Sequence, residues 1–477
     1  MIPLSLSDVA AATRGRLGGG ADPSAVVVSA STDSRSVAAG DLFVAVVGEH
    51  HDAHDYAAQA IAGGAVAVLA SRELDVPCVI VDDTVAALGL LARAVIDSLP
   101  DLVVVGVTGS SGKTSTKDLL AQVLPDFGAT LAPVGSFNTE VGLPMTALRL
   151  EPTTRVLVAE MGARGIGHIR YLTGIAPPRI GLVLNVGTAH VGEFGSRAAI
   201  AKAKVELVEA LPHAGSGGVA VLNADDPLVL AMRERTVARV VTFGEGTDAE
   251  VQATDIELDD VGRPSFTIRY GSRSARVRMG IPGRHQMSNA LAVAAVALTL
   301  GLDLEQVADS LSRARPTSRW RGDVADTSTG TTVVNDAYNA NPGSMVAALE
   351  LLAAMTRVTS TRPARRAVAV LGEMLELGDL SVGEHGEIGR AAVRLGVDRL
   401  VVVGDGEAVT EMRDAALGAG GTATLVPDVD AAVALLRTEL EPGDVVLVKA
   451  SRSVGLERVA AALLEDRPAV GDGELGA

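Results

Sequence analysis

Cysteine is almost absent from the 477-residue chain, with Cys78 the only one. This excludes an intrachain disulfide framework and a zinc site built from cysteines. Aromatic residues make up 2% of the chain against 48% apolar residues. The core must therefore be Ala, Val and Leu, which suits layered α/β packing. Basic residues are in deficit: 41 Lys and Arg against 58 Asp and Glu leave a formal net charge of −17. That balance argues against general binding to nucleic acid or an anionic membrane, while leaving room for local basic pockets. No stretch approaches the ~20 uninterrupted apolar residues of a membrane helix, so no membrane insertion is expected. Met1-Ile2-Pro3-Leu4-Ser5 shows no basic region leading into an apolar core. No signal peptide is expected, and the chain reads as cytoplasmic.

A chain of this length predicts about three domains. Residues 1–100 carry short apolar runs (Val26–Val28, Asp41–Val47, Ala65–Ala70, Val79–Val81) and then an Ala/Leu helix, Val85–Leu99, stopped by Pro100. Residues 101–315 alternate strand and helix, with apolar strands at Val156–Ala159, Ile180–Leu184, Val219–Leu222 and Val240–Val241. Within them, Ile256, Leu258, Phe266, Ile268, Tyr270, Val277 and Met279 alternate with polar residues. That period predicts antiparallel strands appended to a mainly parallel sheet. Residues 316–477 alternate again, with strands at Ala367–Leu371, Leu400–Val403 and Val445–Val448. The Asp- and Gly-rich tail after Pro468 is expected to fray.

The densest chemical signal is "VTGSSGKTST", residues 107–116. It follows the apolar run Leu102–Val107 and precedes a helical pattern from Lys113 to Leu124. A small-residue turn between strand and helix aims backbone N–H groups outward at the positive end of a helix dipole. Lys113 then reaches β- and γ-phosphates, and the Thr114 hydroxyl is available to Mg²⁺. The common P-loop spacing G-x-x-x-x-G-K-[ST] would put its first glycine where Val107 stands. The glycines are instead Gly106, Gly109 and Gly112.

Ligands of open α/β sheets bind at the carboxyl ends of strands. Glu160 follows Val156–Ala159, and Asn185 and His190 follow the strand ending at Leu184. A carboxylate and an imidazole there are suited to a metal near phosphates. Each also has a plainer reading, Glu160 as a helix cap and His190 as a packed loop residue. Lys204 lies on a helix whose apolar stripe implies partial burial, although a helix lysine is ordinarily solvated.

These stretches together resemble the Mur ligase family over almost the whole chain. "GVTGSSGKT" matches that family's phosphate loop, G-x-T-G-[ST]-x-G-K-[ST]. "SFNTEVGLP" (136–144), "NDAYNANPGSM" (335–345), "LGEMLELGD" (371–379) and "VKASRS" (448–453) resemble the branch that adds D-alanyl-D-alanine. The resemblance implies three α/β domains. They are a small N-terminal domain (1–100) binding a UDP-substrate, a central P-loop-type domain (101–315) binding ATP, and a C-terminal Rossmann-like domain (316–477) binding the incoming dipeptide. The implied reaction is ATP-dependent amide formation between UDP-N-acetylmuramoyl-tripeptide and D-alanyl-D-alanine through an acyl phosphate, in peptidoglycan precursor synthesis. A monomer is expected.

The same resemblance implies roles for single residues. Gly109, Ser110, Ser111, Gly112, Lys113 and Thr114 would hold the ATP phosphates. His285 and Asn289, in "PGRHQMSNALAVAA", would contact adenine. In "SRWRGDV", Arg321 fits the phosphate-contacting arginine better than Arg319, because Asp323 follows it two residues later. Two Mg²⁺ ions are implied, one near Thr114 and Glu160, the other near Glu160, His190 and a carbamylated lysine. Lys204 is the candidate for the carbamate, with Lys202 a rival two residues away. Asp336, Tyr338, Asn339 and Asn341 would line the site from the third domain, and Lys449, Ser451 and Arg452 would meet the dipeptide. Asn138, Thr139 and Glu140 would face substrate, and Ser34 and Arg35 resemble a uridine-binding pair.

Overall fold

The computed structural model describes residues 1–48, 51–188, 191–358 and 363–465. His190 and the tail after Pro468 lie outside the described residues.

Valine-rich runs become the middle strands of three separate sheets. In the first, Asp41–Val44, Ala67–Ala70 and Cys78–Ile80 are parallel neighbours, flanked by Ser29–Ser31 and by antiparallel Arg16–Gly18. Helix Thr84–Asp97 packs behind them, N-capped by Asp83, whose side chain accepts from the Val85 and Ala86 amides.

The central sheet has nine strands. Val103–Thr108 lies between Val156–Glu160 and Ile180–Val183, all parallel and wholly buried. Continuous apolar runs are what a sheet covered by helices on both faces requires. Val251–Leu258 continues one edge parallel to Arg239–Gly244, and Pro264–Tyr270 and Arg273–Arg278 then extend it antiparallel. There Phe266, Ile268 and Val277 point into the core while their neighbours face out, as the alternation predicted.

The third sheet has Thr332–Asn335, Val445–Lys449, Ala367–Leu371, Arg399–Val403 and Ala423–Val426 in parallel order, with Asp323–Asp326 antiparallel at one edge. Strands of two to four residues at edges (Thr130–Leu131, Ser29–Ser31, Asp323–Asp326) have no counterpart in the apolar pattern. They bury little, so the period is too weak to read. Among the described residues no helix is long and apolar enough to cross a membrane.

Candidate active site

The phosphate loop leaves strand Val103–Thr108 and enters helix Lys113–Val123. Two of its three glycines serve different ends. Gly106 is within the strand, where a Cβ would come 2.8 Å from Leu207 Cδ1, so it allows helix–sheet packing rather than phosphate approach. Gly112 caps the helix in the left-handed region (φ 81°), and a Cβ there would meet Asn289 Oδ1 at 2.6 Å. Asn185 splints the loop, its Oδ1 accepting from the Ser110 and Ser111 amides at 3.0 and 2.9 Å. The Ser110 hydroxyl accepts from the Gly187 amide at 2.9 Å. Lys113 folds back to donate to the Gly109 carbonyl at 2.7 Å. Burial pulls the Lys113 ammonium below its usual range, and the Glu160 carboxylate opposes that shift.

Glu160 is the last residue of its strand, not a residue beyond it, and is 1% exposed. Its Oε1 accepts from Asn138 Nδ2 at 2.8 Å, while Oε2 is buried with no hydrogen-bond partner among the described residues. An orphaned buried acceptor costs ~1–3 kcal/mol, and more when charged. A hard cation beside it would remove that cost, and the Thr114 hydroxyl supplies a second oxygen donor. Glu160 and Thr114 thus fit Mg²⁺ by donor type. Among the described residues no three His, Cys, Asp or Glu side chains cluster as a ready metal site.

Lys204 lies on helix Arg197–Glu209 and is 5% exposed, whereas Lys202 is exposed. Two residues on a helix differ by about 200° of rotation, so only one of the pair faces inward. Burial, then the nearby Lys113 charge, lowers the Lys204 pKa well below its ordinary value.

The third unit, built on the third sheet as the first and second are on theirs, closes the cleft. Arg321 Nη2 lies 3.1 Å from Thr114 Oγ1 and 3.5 Å from Ser136 Oγ, and its guanidinium stacks over the Tyr338 ring at 4.1 Å. Arg319 is exposed. Between them Trp320 adopts a left-handed backbone (φ 60°), and Arg452 stacks on its ring at 4.2 Å. Lys449 is buried and donates to Asp336 Oδ2 at 2.6 Å and to the Asn339 carbonyl at 2.9 Å. Burial lowers its pKa, and Asp336 opposes that shift.

A cleft of about 370 Å³ joins these groups. Lys113, Glu160, Arg321, Asp336 and Lys449 line it together with Ser110, Ser111, Gly112, Thr114, Asn138, His285, Asn289, Tyr338, Asn339 and Asn341. Other candidates fall elsewhere. Gly109, Thr139, Glu140, Lys204, Ser451 and Arg452 are not in its lining, nor are Ser34 and Arg35, which belong to the first unit. Arg35 is exposed and holds Asp33 at 2.8 Å.

Two candidates carry structural bonds. Ser451 Oγ accepts from the Leu375 amide at 2.9 Å, fixing the "LGEMLELGD" turn. Asn341 caps helix Pro342–Thr356 in a reciprocal box with Ser344. The sequence placed Asn185 at a ligand-binding strand end without a role, and it gave Ser136 no role either. Their placement at a strand end and at the head of "SFNTEVGLP" was the available signal.

A strand–loop–helix that presents amides and a lysine, faced by an arginine from another unit, defines an enzyme that handles the phosphates of a nucleotide. The family models agree with this layout. They match a Mur ligase family catalytic domain over residues 27–98, a Mur ligase middle domain over 107–297 and a Mur ligase glutamate ligase domain over 320–452. The chain is 48% identical over 471 residues to UDP-N-acetylmuramoyl-tripeptide--D-alanyl-D-alanine ligase of Mycobacterium tuberculosis, covering 91% of both chains. It superposes on MurF from Acinetobacter baumannii with TM-score 0.86 at 32% identity, covering 97% of this chain and 99% of that one. On MurF ligase from Thermotoga maritima in complex with ADP the TM-score is 0.79 at 30% identity, with 92% and 97% covered. This chain belongs to the Mur ligase family.

Proposed function

We propose that the chain joins D-alanyl-D-alanine to UDP-N-acetylmuramoyl-tripeptide at the expense of ATP, a reaction of peptidoglycan precursor synthesis in the cytoplasm. The observation that carries this reading is the single cleft in which the phosphate loop meets Arg321, Asp336 and Lys449. The relatives' shared name supplies the substrates.

In this reading the terminal carboxylate oxygen of the tripeptide attacks the γ-phosphorus. The bond from that phosphorus to the β–γ bridging oxygen breaks, and ADP leaves. The dipeptide amine then attacks the acyl carbon and loses a proton as phosphate departs. No protein nucleophile is required. Loop amides, Lys113 and Arg321 hold and neutralise the phosphates, which is most of what phosphoryl transfer demands. Glu160 and Thr114 would hold Mg²⁺, which supplies charge neutralisation at the phosphates when bound.

Lys204, buried and shifted toward its neutral amine, is suited to form a carbamate and so become an oxygen ligand. Asn289 and His285 lie on the adenine side, Ser34 and Arg35 serve the uridine end, and Asn138, Thr139 and Glu140 face the tripeptide. The third unit takes the dipeptide, with Asn339 in the cleft lining. Lys449, Ser451 and Asn341 support that wall through the bonds described above.

The test is phosphate release from ATP with each substrate omitted in turn. Stoichiometric release that requires both the tripeptide nucleotide and D-alanyl-D-alanine is the expected result. Full release with either one missing would overturn the assignment.

A further inference from the structure

Arg321 reaches the phosphate loop from a different unit, across 207 residues of sequence, on an unusual mounting. Among the described residues its Nε is buried without a hydrogen-bond partner. Among the described residues only Nη2 is hydrogen-bonded, to Thr114 and Ser136. One guanidinium face lies on the Tyr338 ring. The ring therefore supplies what hydrogen bonds do not, a surface that fixes the plane of the cation. An aromatic face attracts a guanidinium more strongly where water is excluded.

Tyr338 is itself fixed to the segment that carries Arg321. Its amide donates to the Trp320 carbonyl at 3.2 Å. The Trp320 amide in turn donates to Asp323 Oδ2 at 2.6 Å, and the Gly322 amide to the Asn335 carbonyl at 3.0 Å. These bonds hold Trp320 in its left-handed turn and put the Arg321 side chain over the ring. The Tyr338 hydroxyl makes no hydrogen bond among the described residues, so the ring and not the phenol is the working part. Tyr338 lines the cleft, yet its face is already occupied.

We propose that Tyr338 is a positioning residue for Arg321, holding the guanidinium toward the transferring phosphate, rather than a group that binds substrate. The proposal rests on the reading of Arg321 as the arginine that meets the phosphates. It predicts a loss in kcat with little change in KM for ATP, because an arginine that swings freely still lets nucleotide bind but does not meet the charge of the transition state.

The test is a double-mutant cycle on the full chain, measuring kcat and KM for ATP in the complete ligation. Tyr338→Leu is expected to lower kcat ~10-fold (~1.4 kcal/mol) with KM for ATP within ~2-fold. Tyr338→Phe is expected to stay within ~2-fold of wild type. In an Arg321→Ala background, Tyr338→Leu is expected to add less than a ~2-fold loss. A full ~10-fold loss in that background would overturn the proposal, because Tyr338 would then act on substrate directly. Tyr338→Phe as damaged as Tyr338→Leu would also overturn it. Should Tyr338→Leu fail to fold, Tyr338→Gln, which keeps polarity and reach but not the ring, stands in its place with the same expected losses. If Arg321→Ala alone keeps activity within ~3-fold, the reading of Arg321 fails and the proposal falls with it, a result distinct from failure of the cycle.

Discussion

Replacing Asp336 with Asn probes the ion pair that builds the third unit's wall of the cleft. Lys449 Nζ donates to Asp336 Oδ2 at 2.6 Å, to the Asn339 carbonyl at 2.9 Å and to the Asp336 carbonyl at 3.3 Å. The Lys449 side chain is 2% exposed and the Asp336 side chain 22%. Breaking a buried pair from one side costs ~3–5 kcal/mol. Here the substituted amide still offers an oxygen and both carbonyls remain, so ~2–3 kcal/mol is expected at pH 7. The sole tryptophan, Trp320, lies beside this wall and reports on it by fluorescence. With an m-value of ~2 kcal/mol/M, the urea midpoint should fall by ~1 M.

The deficit should also depend on pH. Burial lowers the Lys449 pKa from 10.5 and Asp336 opposes this, so removing the carboxylate lowers it further. A lysine with a depressed folded pKa binds fewer protons folded than unfolded, so stability rises with pH between the two values. The variant's window opens at lower pH than that of the wild type, and its deficit shrinks as pH rises through the two folded pKa values. A midpoint shift below ~0.3 M at pH 7, or a deficit that grows at pH 9, would refute the reasoning.

Other expectations follow from the same geometry. Lys113→Ala and Glu160→Ala should each abolish turnover while leaving the fold intact by circular dichroism; activity within ~10-fold of wild type, only ~1.4 kcal/mol of barrier, would remove either from the site. Lys204→Ala should be nearly inactive and partly restored by acetate, with ¹³C-bicarbonate giving a carbamate signal in wild type only; loss and rescue at Lys202 instead would reverse the assignment. Gly192→Ala should hold the second and third units apart, because its Cβ would strike the Gly378 backbone and lie 2.8 Å from the Leu377 carbonyl carbon. Small-angle scattering should then show a larger radius of gyration, and an unchanged profile would count against this contact as a closure point.

What the sequence made legible was the part set by local pattern. The valine runs ending at Thr108 and Glu160 are buried on both sides, so their strands and the groups at their ends could be read directly. The spacing to Asp323 favoured Arg321 over Arg319 but gave no physical reason for the choice. Their difference lies in the backbone of Trp320, whose φ of 60° puts one arginine at the loop and leaves the other in solvent. Lys202 and Lys204 were ambiguous for the opposite reason, an Ala-Lys repeat whose inward face is decided by packing. The Asn185 splint and the Ser451–Leu375 bond join residues about 75 positions apart, and no local period encodes them. Ser451 and Asn341 sit in motifs that read as binding, while their side chains brace a turn and a helix end.

The central claim is that the cleft activates a carboxylate as an acyl phosphate. Supplying UDP-N-acetylmuramoyl-tripeptide labelled with ¹⁸O in its terminal carboxylate tests it most directly. Attack on the γ-phosphorus followed by amide formation must carry one labelled oxygen into inorganic phosphate and leave the other in the new amide. Mass spectrometry of the released phosphate should therefore show one ¹⁸O per turnover. Unlabelled phosphate, or label recovered in AMP, would contradict the account.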